Sequence, residues 1–531
     1  MKAPPVIHPL LFAVYPVIYL YAHSQGEIGS ISVTFLSASF FILLAVFFLI
    51  IFRFIYGNLL KAGVVASVSL VLVFSFGHVA SFLAGAGLSR EEIPAYLYAL
   101  WAAVFSFTAL AVYRTRNNMA GLTKGMNLIA AFLVLMNLVK VVSYELETRR
   151  GLEEAMQMHK TAMAQKTAAN AQTNENIRTS DIYYIILDRY GNNNTLKNIY
   201  GYDNAHFLEF LRSKGFYVAD ESFSNYLKTA HSLASSLNMK YVNFLSEVIG
   251  RDSNDWRPLY EMLQNYEVWR FLKSRGYDFI HFGSWWGPTM ENRYADENIN
   301  LQPFFYISEF DVTLFETTLL HSLISKLVFK ERDRNRRLQW KRVNFKFKKL
   351  MEIPATERKA PVFVFAHMLI PHPPYVFDER GRYIPAKLVG LRSESENYIR
   401  QLMHLNDRLE KLVDTILSKS EVPPIIILQS DEGPYPYRYI NRISSFNWKE
   451  EATVTELRHK VGIINAYYFP GRGKENLYPT ITPVNTFKVL FNTYFNSDYE
   501  LLPDRSFAHV DDMHIYDFVD VTDKIKMRDP N

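Results

Sequence analysis

Three short apolar runs in the second part of this chain each end on residues that can do chemistry. Residues 181–187 (DIYYIIL) run into Asp188. Residues 361–366 (PVFVFA) run into His367, with His372 five residues further on in PHPPY. Residues 424–428 (PIIIL) lead to Asp431-Glu432-Gly433. Asp188, Asp431 and Glu432 together make an oxygen-rich site for Mg2+, Mn2+ or Ca2+, and Zn2+ enters the set if a histidine joins. Taken singly, Asp188 reads equally as a strand-end turn or N-cap, and the Asp-Glu-Gly tripeptide as a turn; the constellation reads as a cation site. A nucleophile beside such an ion is offered by residues 224–238 (SNYLKTAHSLASSLN), dense in hydroxyls ahead of a helix. A hydroxyl at a helix N-terminus gains from the positive end of the dipole. Thr229 is the first candidate and Ser232 the second, with plain N-capping as the competing reading.

The elements that must position these groups follow from the same pattern. The three runs are short, β-rich and apolar throughout, as strands buried on both faces of a parallel sheet are. Helical stretches lie between them, at residues 205–214 and 393–418. Strands alternating with helices predict a doubly wound α/β domain, in which function sits beyond the carboxyl ends of the strands. Ahead of it, residues 148–180 are polar, rich in Ala, Gln and Thr, and lack an apolar stripe, which predicts a linker or juxtamembrane helix.

The first quarter is different in kind. Apolar runs fall at about residues 7–22, 31–52, 62–83, 93–113 and 126–142, the middle three long enough to cross a hydrocarbon core of about 30 Å. Lys2, Arg53, Lys61, Arg114, Arg116 and Lys124 flank alternate gaps, while Glu27, Arg90, Glu91 and Glu92 occupy the others. The positive-inside rule then sets the N-terminus in the cytoplasm, and five crossings deliver the remainder outside. The expected organisation is a membrane anchor at 1–147, a linker at 148–180 and an extracytoplasmic domain at 181–531. That domain carries a basic insertion at 310–355, where residues 314–328 predict an amphipathic helix and residues 330–349 hold ten Lys or Arg. This segment suits an anionic bilayer surface; a solvated helical insertion is the other reading. The 531 residues contain no cysteine, which excludes disulfides, thiolate metal sites and cysteine nucleophiles. A net charge of +5 gives no ground for a nucleic-acid partner.

The ordered set of ILD after a strand, NYLKTAHSLASSLN, GYDFIHFGSWW, HMLIPHPPYVFD, QSDEGP, RHKVGIINAYYFPG and PVNTFKVLFN resembles the sulfatase-like branch of the alkaline phosphatase superfamily. With the five apolar runs ahead of it, the chain is similar to lipoteichoic acid synthases and to the phosphoethanolamine transferases that modify lipid A. The resemblance implies an alkaline-phosphatase/sulfatase-like α/β fold behind a transmembrane bundle in a bacterial cytoplasmic membrane, with one divalent ion (Mn, Mg or Zn, or else Ca). It implies Asp188 and Asp431 as metal ligands and Thr229 as nucleophile and ligand. It assigns Lys228, His281, Trp285 or Trp286, Arg293, His367 and His372 to the substrate. Glu432 stands where many relatives have a metal-binding histidine, so either Glu432 itself or a nearby His459 is expected to complete the metal site. The implied activity is transfer of phosphoglycerol or phosphoethanolamine from a membrane phospholipid to an envelope glycan or lipid. The alternatives are hydrolysis by the same groups with water as acceptor, and a non-catalytic role in envelope assembly. Formylglycine-type sulfatase chemistry is disfavoured by the absence of cysteine and of the required motif around Thr229.

Overall fold

Long apolar runs can satisfy their backbone groups internally only as helices, and these runs do so. The computed structural model describes residues 3–26, 28, 31–89, 92–167, 180–302, 307–443 and 445–526, with backbone alone at 147–167, 309 and 324–332. Residues 168–179 of the expected polar linker, with Glu27, Arg90 and Glu91, lie outside the described residues, while 148–167 continue the helix that begins at Ala120. The chain divides into two compact units, one of Met1–Arg150 with Pro303–Arg332 and one of Gly151–Gln302 with Asp333–Asn531.

The first unit contains helices α1 (His8–His23), α2 (Thr34–Tyr56), α3 (Leu59–Gly85), α4 (Ile93–Arg114) and α5 (Ala120–Thr167). Of the five expected spans, four, corresponding to α2 through α5, are long and apolar enough to cross a membrane. The 16 residues of α1 reach only about 24 Å. That helix nonetheless lies along α5. At one end the Asn127 amide donates to the Pro5 carbonyl at 2.7 Å, and at the other the Gln25 amide donates to the Val141 carbonyl at 3.4 Å. Between α2 and α3 the chain reverses in two residues. Gly57 takes the left-handed backbone (φ +63°) that ends α2, and the Asn58 side chain accepts from the Leu60 and Lys61 amides to start α3.

The first unit also holds a short helix, Glu309–Glu316, capped by a reciprocal Ser308–Asp311 box. The amphipathic helix expected over 314–328 is therefore broken. Thr317 and Thr318 turn their hydroxyls back onto the carbonyls of Leu314 and Phe315, and a new helix runs Leu319–Glu352. Phe310 and Leu314 pack with Tyr21, Phe41 and Phe74. The Thr317 carbonyl accepts from the Gly77 amide at 2.9 Å.

The second unit is built on a seven-stranded sheet. Its strands are β1 (Ile182–Leu187), β2 (Tyr217–Val218), β3 (Asp278–Phe282), β4 (Glu297–Ile299), β5 (Val362–Met368), β6 (Ile425–Gln429) and β7 (Asn465–Tyr468), in the order β2-β7-β6-β1-β5-β3-β4. The five strands from β6 to β4 are parallel, and β7 runs antiparallel between β6 and β2. Both faces are covered, as the unbroken apolar runs require. Ile182, Tyr184 and Ile186 pack with Leu233, Leu237 and Phe487 on one side. Tyr183, Ile185 and Leu187 pack with Leu405, Leu409 and Phe347 on the other. The expected α/β domain with both sheet faces covered, preceded in the chain by a bundle of helices, is what forms.

The basic stretch is not uniformly the exposed surface that its composition suggests. Val343, Phe347 and Leu350 join the sheet core, and Arg342 and Lys346 are buried with them. Arg342 donates to the Leu301 carbonyl and Lys346 to the His367 carbonyl. Period-3.6 apolar positions hidden among the cations decide the orientation of this helix.

Candidate metal centre and active site

The register of the sheet brings the two aspartates together. Ile186 on β1 pairs with Gln429 on β6 and with His367 on β5, so Asp188 and Asp431 each emerge two residues further along. Asp188, His367 and Asp431 each present one donor atom within 4.8 Å of the others, all three buried. His367 Nε2 lies 3.5 Å from Asp188 Oδ2, close to the donor–donor edge of about 3.4 Å for a tetrahedral ion at about 2.1 Å. His367 Nδ1 hydrogen bonds with Thr289 Oγ1 at 2.8 Å, which fixes the ring and leaves Nε2 facing the carboxylates.

Four buried atoms here have no hydrogen-bond partner: Asp188 Oδ1, both carboxylate oxygens of Asp431, and His367 Nε2. Buried polar atoms without partners are costly, and these belong to three side chains that each bring a donor within 4.8 Å of the others, a grouping that fits a divalent cation. Burial, with the two carboxylates repelling each other and Glu432 nearby, pushes Asp431 up to about 7. Burial and Glu432 do the same to Asp188 against the pull of Arg189. Burial lowers His367 to about 4, so it is a neutral imidazole able to ligate. Two carboxylates and one imidazole form a donor set for Zn2+ or Mn2+ more than for Ca2+.

Thr229 is the first residue of helix Thr229–Asn238, with Lys228 in extended backbone before it. Its hydroxyl lies near Asp431, easing that carboxyl's ionisation. Thr229, Asp188 and His372 line one cleft of about 200 Å3 with Trp256, Trp285 and Trp286. Ser232, the second candidate nucleophile, is buried and donates its hydroxyl to the Tyr226 carbonyl, which commits it to the helix start. His372 hydrogen bonds through Nδ1 to the Pro373 carbonyl. Burial holds its ring well below the ordinary histidine range.

Several expected placements differ. Glu432 does not join the trio. It turns to Lys460 Nζ at 2.9 Å and Arg189 Nε at 3.1 Å. Burial would raise its carboxyl, but these two cations outweigh that and hold it below the usual range. His459 does not replace it. On helix Val454–Val461 adjacent residues diverge by about 100°, so Lys460 reaches Glu432 while His459 meets the Tyr200 hydroxyl at 3.0 Å. Arg293 is half-exposed and paired with Glu261, outside the residues lining the cleft. His281 is buried on β3 with Nε2 3.1 Å from the Thr289 carbonyl, so it supports the segment that holds His367. Lys228 lines the cleft and pairs with Asp512 at 3.1 Å. His367, expected to serve the substrate, stands among the metal-type donors instead.

Sequence reasoning passed over Arg189, next to Asp188. It lines the cleft, adopts a left-handed backbone (φ +64°) and sets its guanidinium 3.5 Å from the centre of the Tyr435 ring. A basic residue beside a strand-end aspartate was the available signal.

No protein-family model matches the chain, and no curated protein matches it. Among solved structures, the chain is similar to the C-terminal periplasmic domain of the phosphoethanolamine transferase EptC from Campylobacter jejuni, at 13% identity over 61% of this chain and 92% of that one, TM-score 0.36. It is similar to the same domain of Escherichia coli EptC in complex with zinc, at 12% identity over 63% and 91%, TM-score 0.41. It is also similar to the integral membrane lipooligosaccharide phosphoethanolamine transferase EptA from Neisseria meningitidis, at 11% identity over 90% and 94%, TM-score 0.34. These likenesses are distant.

Proposed function

We propose that the chain is a divalent-metal-dependent transferase of a bacterial cytoplasmic membrane with its sheet-bearing unit outside. It moves a phosphate-linked headgroup from a membrane phospholipid to an envelope glycan or lipid through Thr229. The observation that carries this reading is the buried group of Asp188, His367 and Asp431, whose Asp188 lines the same cleft as Thr229, a hydroxyl residue at a helix N-terminus. The integral-membrane part of the reading is supported by the four apolar helices.

Asp188, Asp431 and His367 would hold the ion. When bound, a divalent ion supplies Lewis acidity that lowers the hydroxyl pKa and offsets phosphate charge. The Thr229 oxygen attacks phosphorus in line, a P–O bond to the lipid alcohol breaks, and the headgroup phosphate rests on Thr229. The Thr229 proton passes by way of His372, which lines the cleft with Nδ1 bonded to the Pro373 carbonyl, to the oxygen of the leaving alcohol. An acceptor hydroxyl reverses these steps. The tryptophans of the cleft keep water from that exchange.

The test is incubation of the full chain in phospholipid vesicles with headgroup-labelled phosphatidylethanolamine or phosphatidylglycerol and envelope glycolipid. Label moving to the acceptor, and abolished by Thr229→Ala, supports transfer. Label released only to water makes the chain a hydrolase. No turnover with any headgroup, and a Thr229→Ala variant that retains cellular function, removes the catalytic reading.

A further inference from the structure

Resting on that reading of the cleft, we propose that Arg189 forms an oxyanion-binding subsite. Its two terminal guanidinium nitrogens serve two non-bridging oxygens of a tetrahedral phosphate or sulfate ester seated on Thr229.

The guanidinium is already held on two sides. Nε is taken by Glu432 at 3.1 Å. One planar face lies on Tyr435 at 3.5 Å. The terminal nitrogens Nη1 and Nη2 have no hydrogen-bond partner among the described residues, although the side chain is only 14% exposed. A guanidinium this buried, with its four terminal N–H donors unspent and lining the cleft that Thr229 lines, offers the planar two-pronged donor set that matches a phosphoryl group. The backbone points the same way. Arg189 holds φ +64°, a conformation that costs a residue with a Cβ and persists where surroundings enforce it. Here it swings the side chain into the cleft directly after the Asp188 ligand position.

Glu432 and Lys460 complete the device. A carboxylate on Nε stops the arginine from folding away, and Lys460, itself 2.9 Å from Glu432, prevents that carboxylate from discharging the guanidinium fully. The side chain in the place where relatives carry a metal-binding histidine thus serves the arginine. Arg293, which the resemblance assigned to this task, is too far out on the surface to perform it.

The test is calorimetric titration of the detergent-solubilised full chain with inorganic phosphate and, separately, sulfate, with metal content measured on each sample. Arg189→Gly suits the left-handed backbone and leaves Glu432 paired with Lys460, and a thermal melt of each variant checks that the fold is retained. It is expected to weaken phosphate binding about 10- to 100-fold at wild-type metal content. Arg189→Lys, which keeps the charge and loses the fork, should fall between. If Arg189 served only to neutralise Glu432, the double variant Arg189→Gly with Glu432→Gln would recover wild-type affinity; that recovery, or unchanged binding in Arg189→Gly, overturns the proposal. A wild-type chain that binds neither anion also overturns it. Arg189-dependent binding of sulfate alone keeps the subsite and removes phosphoryl transfer. Headgroup transfer that continues unimpaired in Arg189→Gly keeps the function and removes the subsite.

Discussion

Replacing Glu432 with glutamine separates two roles that one residue cannot hold together. Its carboxylate is 1% exposed and lies 2.9 Å from Lys460 Nζ, which is fully buried, and 3.1 Å from Arg189 Nε. Removing one partner of a buried pair leaves the other charge uncompensated, at a cost of about 3–5 kcal/mol. The sheet-bearing unit has roughly 350 residues. With about 2.1 cal/mol/K of unfolding entropy per residue, its Tm moves by about 1.4 °C per kcal/mol, so Glu432→Gln should lower it by about 4–7 °C. Metal content should stay at the wild-type value, because Glu432 is outside the Asp188–His367–Asp431 group and is paired with Lys460 and Arg189. Differential scanning calorimetry and elemental analysis on one sample give both numbers. A variant of unchanged Tm that has lost its ion would show that Glu432 is a ligand, and the assignment of His367 in its stead would fail.

Three further outcomes follow from the same geometry. His367→Gln removes the imidazole donor and should weaken metal binding at least tenfold, measured by competition with a chelating dye, while Arg293→Gln should leave it unchanged. Because burial raises Asp188 and Asp431 to about 7, both carry protons below that pH and must shed them to ligate. Metal uptake at pH 6 should therefore release protons, and apparent affinity should climb with pH up to about 7 and then level; calorimetry in buffers of differing ionisation enthalpy reads the release. In the first unit, a Cβ at Gly77 would stand 2.5 Å from the Thr317 carbonyl oxygen. Gly77→Leu should thus dislodge helix Glu309–Glu316 and expose a cysteine placed at Thr318, which is 1% exposed in the native packing, to maleimide labelling.

Much of this site could be read from the chain because strand ends are periodic. Three unbroken apolar runs become β1, β5 and β6, and their register alone sets Asp188 beside Asp431. The strands β2, β4 and β7 contain only two to four residues, too few for a pattern of alternation to emerge. Side-chain direction was the other hidden quantity. Asp431 and Glu432 are neighbours in sequence, yet one faces the cation position and the other faces Lys460; a turn decides this, and composition does not. Lys346 and Arg342 look like solvated cations in the sequence, and only the facing apolar positions Val343, Phe347 and Leu350 reveal that their helix is packed down.

The proposed chemistry requires one ion held by Asp188, His367 and Asp431 next to Thr229. X-ray absorption spectroscopy of the purified full chain, loaded with one equivalent of zinc or manganese, tests it most directly. The predicted result is a single first shell of nitrogen and oxygen at about 2.0–2.2 Å, with an imidazole signature that His367→Gln abolishes. A chain that retains no ion, or an ion whose shell is unaltered by that substitution, would contradict it.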